Sequence, residues 1–298
     1  MKESNVWSRR QLLARGLTGA AALSILNSGF ALEDGKKKLT GFKIGACDWN
    51  LGKEGSPESL EVAKKIGLDG VQVSLCPENP ALDLRNPKNQ KAMLDASKAT
   101  GVAIGSLALG CLNGTPYKSD PKTEKWVEDC IDVCQALGVK SVLLAFFGAG
   151  DLSGDKAGRD EVVRRLKKVA PKAEKAGVVL GIESYLPAKE LLEMVNAVNS
   201  PGVGVYYDVW NPLTKGYDIY AEIRELGQHI CEFHAKDDPK ALLGQGKVDF
   251  KKVREAMDAI GYRGWLQLEA GTPLGLEESY KKDAEFLRTI FPAQVEKA

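Results

Sequence analysis

The stretch "EKAGVVLGIES", Glu174–Ser184, joins a helical pattern to an apolar run through one glycine, Gly177. Glycine reaches the left-handed conformation that ends a helix without steric cost, so Gly177 reads as a helix stop. The run beyond it is apolar at successive positions rather than alternate ones, as expected of a strand covered on both faces. The junction recurs: "KKIG", "KATG", "QALG", "RELG" and "DAIG" put Gly67, Gly101, Gly138, Gly227 and Gly261 between an amphipathic stretch and a strand-like run. Those runs number eight: "FKIGACDW", "GVQVSL", "VAIGSLAL", "SVLLAFF", "VVLGIES", "VGVYYDV", "ICEFHAK" and "WLQLEA". Apolar strands alternating with helices imply a parallel sheet, and eight units over about 260 residues predict a single-domain α/β fold, the (β/α)8 TIM barrel. An open doubly wound sheet is the competing architecture, but no GxGxxG follows the first strand, where a dinucleotide site would begin.

Composition narrows the partner. The 298 residues carry 41 Lys plus Arg against 40 Asp plus Glu, so no basic excess is available to neutralise phosphates and a nucleic-acid partner is excluded. A small-molecule ligand is expected instead, and a homo-oligomer is compatible with the chain. The six cysteines sit in or beside apolar runs, or share a helical face as Cys130 and Cys134 do, and read as buried free thiols.

The N-terminus stands apart from this pattern. "SRRQLLARG", Ser8–Gly16, sets Arg9 and Arg10 ahead of the mildly apolar "LTGAAALSILNSGFA". It resembles a bacterial twin-arginine export signal; the alternative is an amphipathic helix with two exposed arginines. The apolar run is too short and too rich in Gly, Ser and Asn for a spanning helix. The expected organisation is a signal over residues 1–31, a polar linker over 32–40 and the barrel over 41–298. This predicts export by the twin-arginine route to the periplasm, without stable membrane insertion once the signal is removed.

In such barrels the active site lies at the C-terminal ends of the strands. His234, one of two histidines in the chain, stands near the end of the seventh run. The fifth, sixth and eighth end with Glu183, Asp208 and Glu269. Singly, each acid reads equally well as a helix cap or ion-pair partner, and the histidine as a core residue. Together, three carboxylates crowded against one imidazole repel unless a cation lies among them. A set of three oxygens and one nitrogen suits one manganese, cobalt or zinc ion better than calcium. His229, at the other end of the seventh strand, reads as structural.

The motifs "GIES", "YYDVWN", "FHAKD" and "QLEAG" resemble those of the xylose-isomerase-like barrel superfamily of sugar phosphate isomerases and epimerases, over residues 40 to 291. The resemblance implies that Glu183, Asp208, His234 and Glu269 bind one divalent metal, manganese first, with magnesium or cobalt as alternatives, and that Glu183 and Glu269 exchange protons with a carbohydrate substrate. The implied reaction is proton abstraction beside a carbonyl through an enediolate, giving isomerisation or epimerisation. Lyases and dehydratases acting on keto-sugars, inososes or 3-keto-glycosides share that first step and remain open, as does a non-catalytic sugar-binding barrel. Asn211 and Lys240 depart from the histidine and arginine of the free-ketose epimerases. Two histidines are too few for the multi-zinc endonucleases of the superfamily. Trp49 is a candidate for stacking on a sugar face, Lys236 for bonding a substrate oxygen or pairing with Asp208 or Glu269, and Phe146, of the pair Phe146–Phe147, for a pocket wall; Asn211 completes the expected substrate contacts.

Overall fold

A computed structural model describes residues 41–293. The export signal assigned to residues 1–31 and the linker over 32–40 lie outside the described residues, as do residues 294–298.

All eight apolar runs form strands: β1 (Lys43–Cys47), β2 (Gly70–Ser74), β3 (Ala103–Leu109), β4 (Ser141–Phe146), β5 (Val179–Ser184), β6 (Val203–Asp208), β7 (Ile230–Ala235) and β8 (Trp265–Leu268). They pair in parallel in sequence order, and β8 returns to β1 to close the barrel. Helices follow the strands: α1 (Glu58–Ile66), α2 (Pro87–Thr100), α3 (Lys122–Leu137), α4 (Lys156–Ala176), α5 (Ala188–Val198), the short α6 (Asn211–Thr214) with α7 (Ile219–Leu226), α8 (Phe250–Ala259) and α9 (Leu276–Ile290). None of the described helices is long and apolar enough to cross a membrane.

The helix stops behave as their residue type demands. Gly177 takes φ 65° and its N–H closes α4 onto Ala173 and Glu174. The other five junction glycines also have positive φ. The end of α5 has no glycine. Asn199 takes φ 56° and ψ 53° there, the only non-glycine residue with positive φ among the described residues. Asparagine tolerates this conformation better than any residue with a longer or branched side chain.

Strand period sorts side chains between two layers. On β4, Leu143 and Ala145 face the barrel interior with Ala108 and Tyr206, while Val142, Leu144 and Phe146 join the larger core between strands and helices. The interior itself is stacked. Near the N-terminal ends of the strands the ring of Trp265 lies against Gly70 and Gly105, where an added Cβ would come within 2.4 and 3.2 Å of it. Above that is a buried polar layer of Gln72, Ser106, Tyr206, Glu232 and Gln267. The strand-end carboxylates and His234 lie beyond it.

Candidate active site

Four consecutive strands deliver the four expected side chains to one place. Glu183 on β5, Asp208 at the end of β6, His234 on β7 and Glu269 just past β8 each offer one ligand atom, all within 4.8 Å of one another. Cross-strand register sets Asp208 directly beside His234. His234 Nδ1 is 3.1 Å from Glu183 Oε1, 3.5 Å from Glu269 Oε2 and 3.9 Å from Asp208 Oδ2.

Each member is held by its surroundings. Asp208 Oδ1 accepts the backbone N–H groups of Trp210 and Asn211, at 2.6 and 2.8 Å, where the chain turns into α6. Asp208 Oδ2 is buried and receives no hydrogen bond. Burial pushes the Asp208 carboxyl up to about 6, against the opposing charge of Lys236. His234 turns Nε2 away from the carboxylates, towards Gln72 Oε1 at 3.0 Å and Cys47 Sγ at 3.4 Å. Burial disfavours the charged imidazole, yet the Cys47 sulfur, Glu183 and Glu269 together outweigh it and hold His234 well above the usual histidine range. Burial in turn pushes the Cys47 thiol up to about 12.

Glu269 has both oxygens engaged: Oε1 by the indole N–H of Trp49 at 3.2 Å and Oε2 by the ammonium of Lys236 at 2.7 Å. Burial works against its charge, but His234 and Lys236 hold it below the ordinary glutamate value. Burial likewise opposes the charge on Lys236, and Asp208 and Glu269 overcome it to raise the lysine.

The arrangement fits a divalent cation. Three carboxylates around one imidazole nitrogen leave Asp208 Oδ2 buried without a hydrogen-bond donor, with the Lys236 ammonium no nearer than 3.6 Å, and an oxygen left so is costly. With the Nε2 proton directed at Gln72, displacement of the Nδ1 proton by a cation would turn that nitrogen's lone pair to the same point.

The remaining expected residues divide. The Trp49 ring stands edge-on to His234, with centroids 6.0 Å apart, at the rim of the cluster. Lys236 takes the ion-pair arrangement, with Asp208 Oδ2 at 3.6 Å as its second partner. Asn211 contributes its backbone N–H to Asp208. Phe146 is a correction: it points outward and packs against Tyr117, because β4 sends odd-numbered side chains inward. Phe147, the other member of the pair, instead packs on the interior cluster and meets Tyr185 edge-on at 4.7 Å. Lys240 is exposed, and His229 lies at the opposite end of β7 in an exposed turn.

Several residues escaped sequence reasoning. Asp48 is buried and accepts from Gly55 N, Ser74 N and Ser74 Oγ, tying down the loop that carries Trp49; burial pushes its carboxyl up to about 7. Gln72 and Glu232 stand beneath His234. A glutamine inside the otherwise apolar "GVQVSL" was the available signal, since polar groups in doubly covered strands need partners.

A closed eight-stranded parallel barrel with a carboxylate–imidazole cluster at its C-terminal mouth defines a class of barrel built for small-molecule chemistry. The chain belongs to the xylose isomerase-like TIM barrel family, whose pattern matches residues 60–290. It is 24% identical over 222 residues to 2-epi-5-epi-valiolone 7-phosphate 2-epimerase of Actinoplanes sp., covering 72% of this chain and 82% of that one. It is 25% identical over 257 residues to a putative L-ribulose-5-phosphate 3-epimerase of Escherichia coli, covering 77% and 89%. Among solved structures, D-psicose 3-epimerase with D-tagatose from Clostridium cellulolyticum H10 superposes with a TM-score of 0.71 at 19% identity, over 84% of this chain and 99% of the other.

Proposed function

We propose that this protein is a metal-dependent sugar isomerase or epimerase that removes a proton from the carbon beside a carbonyl. The observation that carries this reading is the buried Asp208 Oδ2, which receives no hydrogen bond, within a ring of three carboxylates around His234 Nδ1. A divalent ion held by Glu183, Asp208, His234 and Glu269, manganese first among the candidates, would polarise a carbonyl and its neighbouring hydroxyl and acidify the proton between them. Glu183 and Glu269, from β5 and β8, supply carboxylates able to take and return that proton. The indole of Trp49 and the ammonium of Lys236 orient Glu269. The epimerase names of the relatives support a carbohydrate substrate. Export by the twin-arginine route would bring the folded, metal-loaded enzyme to sugars outside the inner membrane.

One observation favours a second reading. Both oxygens of Glu269 are engaged and its basicity is lowered, whereas Glu183 is hydrogen-bonded within the cluster to His234 alone, at 3.1 Å. That asymmetry suits a single-base reaction, in which Glu183 removes the proton and a leaving group departs, as in a lyase or dehydratase acting on a keto-sugar. Incubation of the manganese-loaded protein with ketoses and 3-keto-glycosides in deuterated water tests both. Deuterium beside the carbonyl with the skeleton intact supports epimerisation, and release of the leaving group supports elimination. Neither outcome across the panel would reduce the protein to a binding barrel.

A further inference from the structure

We infer that Gln72, braced by Ser106 and Glu232, is the positioning residue that keeps His234 Nδ1 facing the three carboxylates; this rests on the metal-site reading above. The side chains form one buried line down the barrel. Gln72 Oε1 lies 3.0 Å from His234 Nε2, Gln72 Nε2 donates to Ser106 Oγ at 3.2 Å, and Ser106 Oγ donates to Glu232 Oε1 at 2.7 Å. The chain has a direction, and donor counting sets it. Glu232 Oε1 also accepts from Gln267 Nε2 at 2.8 Å and from Tyr206 OH at 3.1 Å, while Ser141 donates to Oε2. Oε1 therefore meets three donors and acts as an acceptor whatever the protonation of the other oxygen.

With the Ser106 proton committed to Glu232, its oxygen lone pairs face Gln72 and demand the amide NH2. That turns Gln72 Oε1 towards His234, where it also accepts from Cys47 Sγ at 3.3 Å. An acceptor at that point requires the proton on Nε2 and leaves the Nδ1 lone pair for the cation. A flipped Gln72 would set its NH2 against the Cys47 thiol and the imidazole N–H, and would leave Ser106, with its proton on Glu232, presenting lone pairs to the Gln72 oxygen. Glu232, three hydrogen bonds removed from His234, thus fixes which imidazole nitrogen meets the metal. The ring of Tyr206, 4.6 Å from that of His234 between centroids, packs beside the same imidazole.

Three variants separate this role from packing. Gln72→Leu removes the acceptor at nearly constant volume, and manganese affinity should fall about 10- to 100-fold, the range typical of losing a hydrogen-bond partner of a ligating histidine. Ser106→Ala cuts the line while leaving Gln72 in place, and should lower affinity by a smaller but measurable factor. Glu232→Gln keeps a carbonyl where Oε1 stands and an NH2 towards Ser141, so manganese affinity should stay within about threefold even if the melting temperature drops. Because the chain has two histidines, ring-15N-labelled protein loaded with magnesium gives few signals. The Nε2–H proton of His234 should be protected in the wild type and in Glu232→Gln, and exchange fast in Gln72→Leu. Wild-type manganese affinity in folded Gln72→Leu or, if that variant does not fold, in Ser106→Ala overturns the inference. Failure of the wild type itself to bind manganese overturns the metal-site reading instead.

Discussion

The ammonium of Lys236 lies 2.7 Å from Glu269 Oε2, so the strand-end cluster carries a fixed cation of its own. That charge also stands 3.6 Å from Asp208 Oδ2, the oxygen with no hydrogen-bond donor. Lysine and metal therefore compete for the same two carboxylates. Lys236→Met should tighten manganese binding several-fold and lower the melting temperature of the metal-free protein, because three carboxylates then lack their covalently tethered counter-charge. Titration of both proteins with manganese, with thermal melts before and after chelation, measures the two effects. Weaker manganese binding in Lys236→Met would mean that lysine and metal cooperate rather than compete.

Metal affinity should fall as pH falls. In the metal-free cluster Asp208 titrates near 6, raised by burial, and His234 holds its proton well above the usual histidine range because the neighbouring acids outweigh the penalty of burial. Both groups have raised values, so both bind protons more readily than they would in water. A cation must displace those protons, and its affinity declines as they return at lower pH. Manganese should bind at least about tenfold more weakly at pH 5.5 than at pH 7.5, a change of the size expected from release of one proton or more per metal. A pH-independent dissociation constant over that range would show that the cation does not enter this cluster.

Much of this site was legible because a parallel barrel collects the ends of all its strands. Once "GIES", "YYDV", "FHAK" and "QLEA" are strand ends, Glu183, Asp208, His234 and Glu269 must converge, whatever the details of the helices. What local pattern leaves undetermined is which alternate side chains of a doubly apolar strand face inward. Both layers around β4 accept phenylalanine, and so Phe146 and Phe147 could not be told apart. The line beneath His234 was hidden for another reason: its first hydrogen bond joins residues 162 apart in sequence. The six glycine stops were plain, whereas the stop after α5 is filled by asparagine.

That asparagine gives a stability test away from the site. Asn199 closes α5 in the left-handed region, and its N–H reaches Val195 O at 2.9 Å. Asparagine and alanine carry the same Cβ, but the short polar side chain of asparagine offsets the cost of that conformation by local hydrogen bonding, so Asn199→Ala should destabilise by about 1 kcal/mol. Asn199→Gly should be neutral or slightly stabilising. Urea unfolding of the two variants reads the difference, and equal midpoints would remove the backbone explanation.

Export is tested on the precursor. Replacing Arg9 and Arg10 together with lysine keeps the charge but removes the pair that the twin-arginine receptor reads. Precursor should then accumulate in the cytoplasm, as shown by fractionation and immunoblotting. Mature protein outside the inner membrane at the wild-type level would exclude this signal.

The decisive chemistry rests on the difference between Glu183 and Glu269. Glutamine at either position keeps a carbonyl oxygen able to meet a cation but has no basic site. Metal affinity should therefore fall modestly while turnover falls by about two to four orders of magnitude, the range expected on losing a general base. In a two-base epimerase, Glu183→Gln and Glu269→Gln each abolish proton exchange from one face, so each variant should still exchange deuterium into the epimer that the other cannot process. The hydrogen bonds from Trp49 and Lys236 to Glu269 set a further condition. If Glu269 serves only to hold the cation, Glu269→Gln should retain turnover within about tenfold of wild type once manganese is saturating, while Glu183→Gln remains inactive. That pattern, read by deuterium incorporation under saturating metal, would replace the two-base scheme with a single-base elimination driven by Glu183.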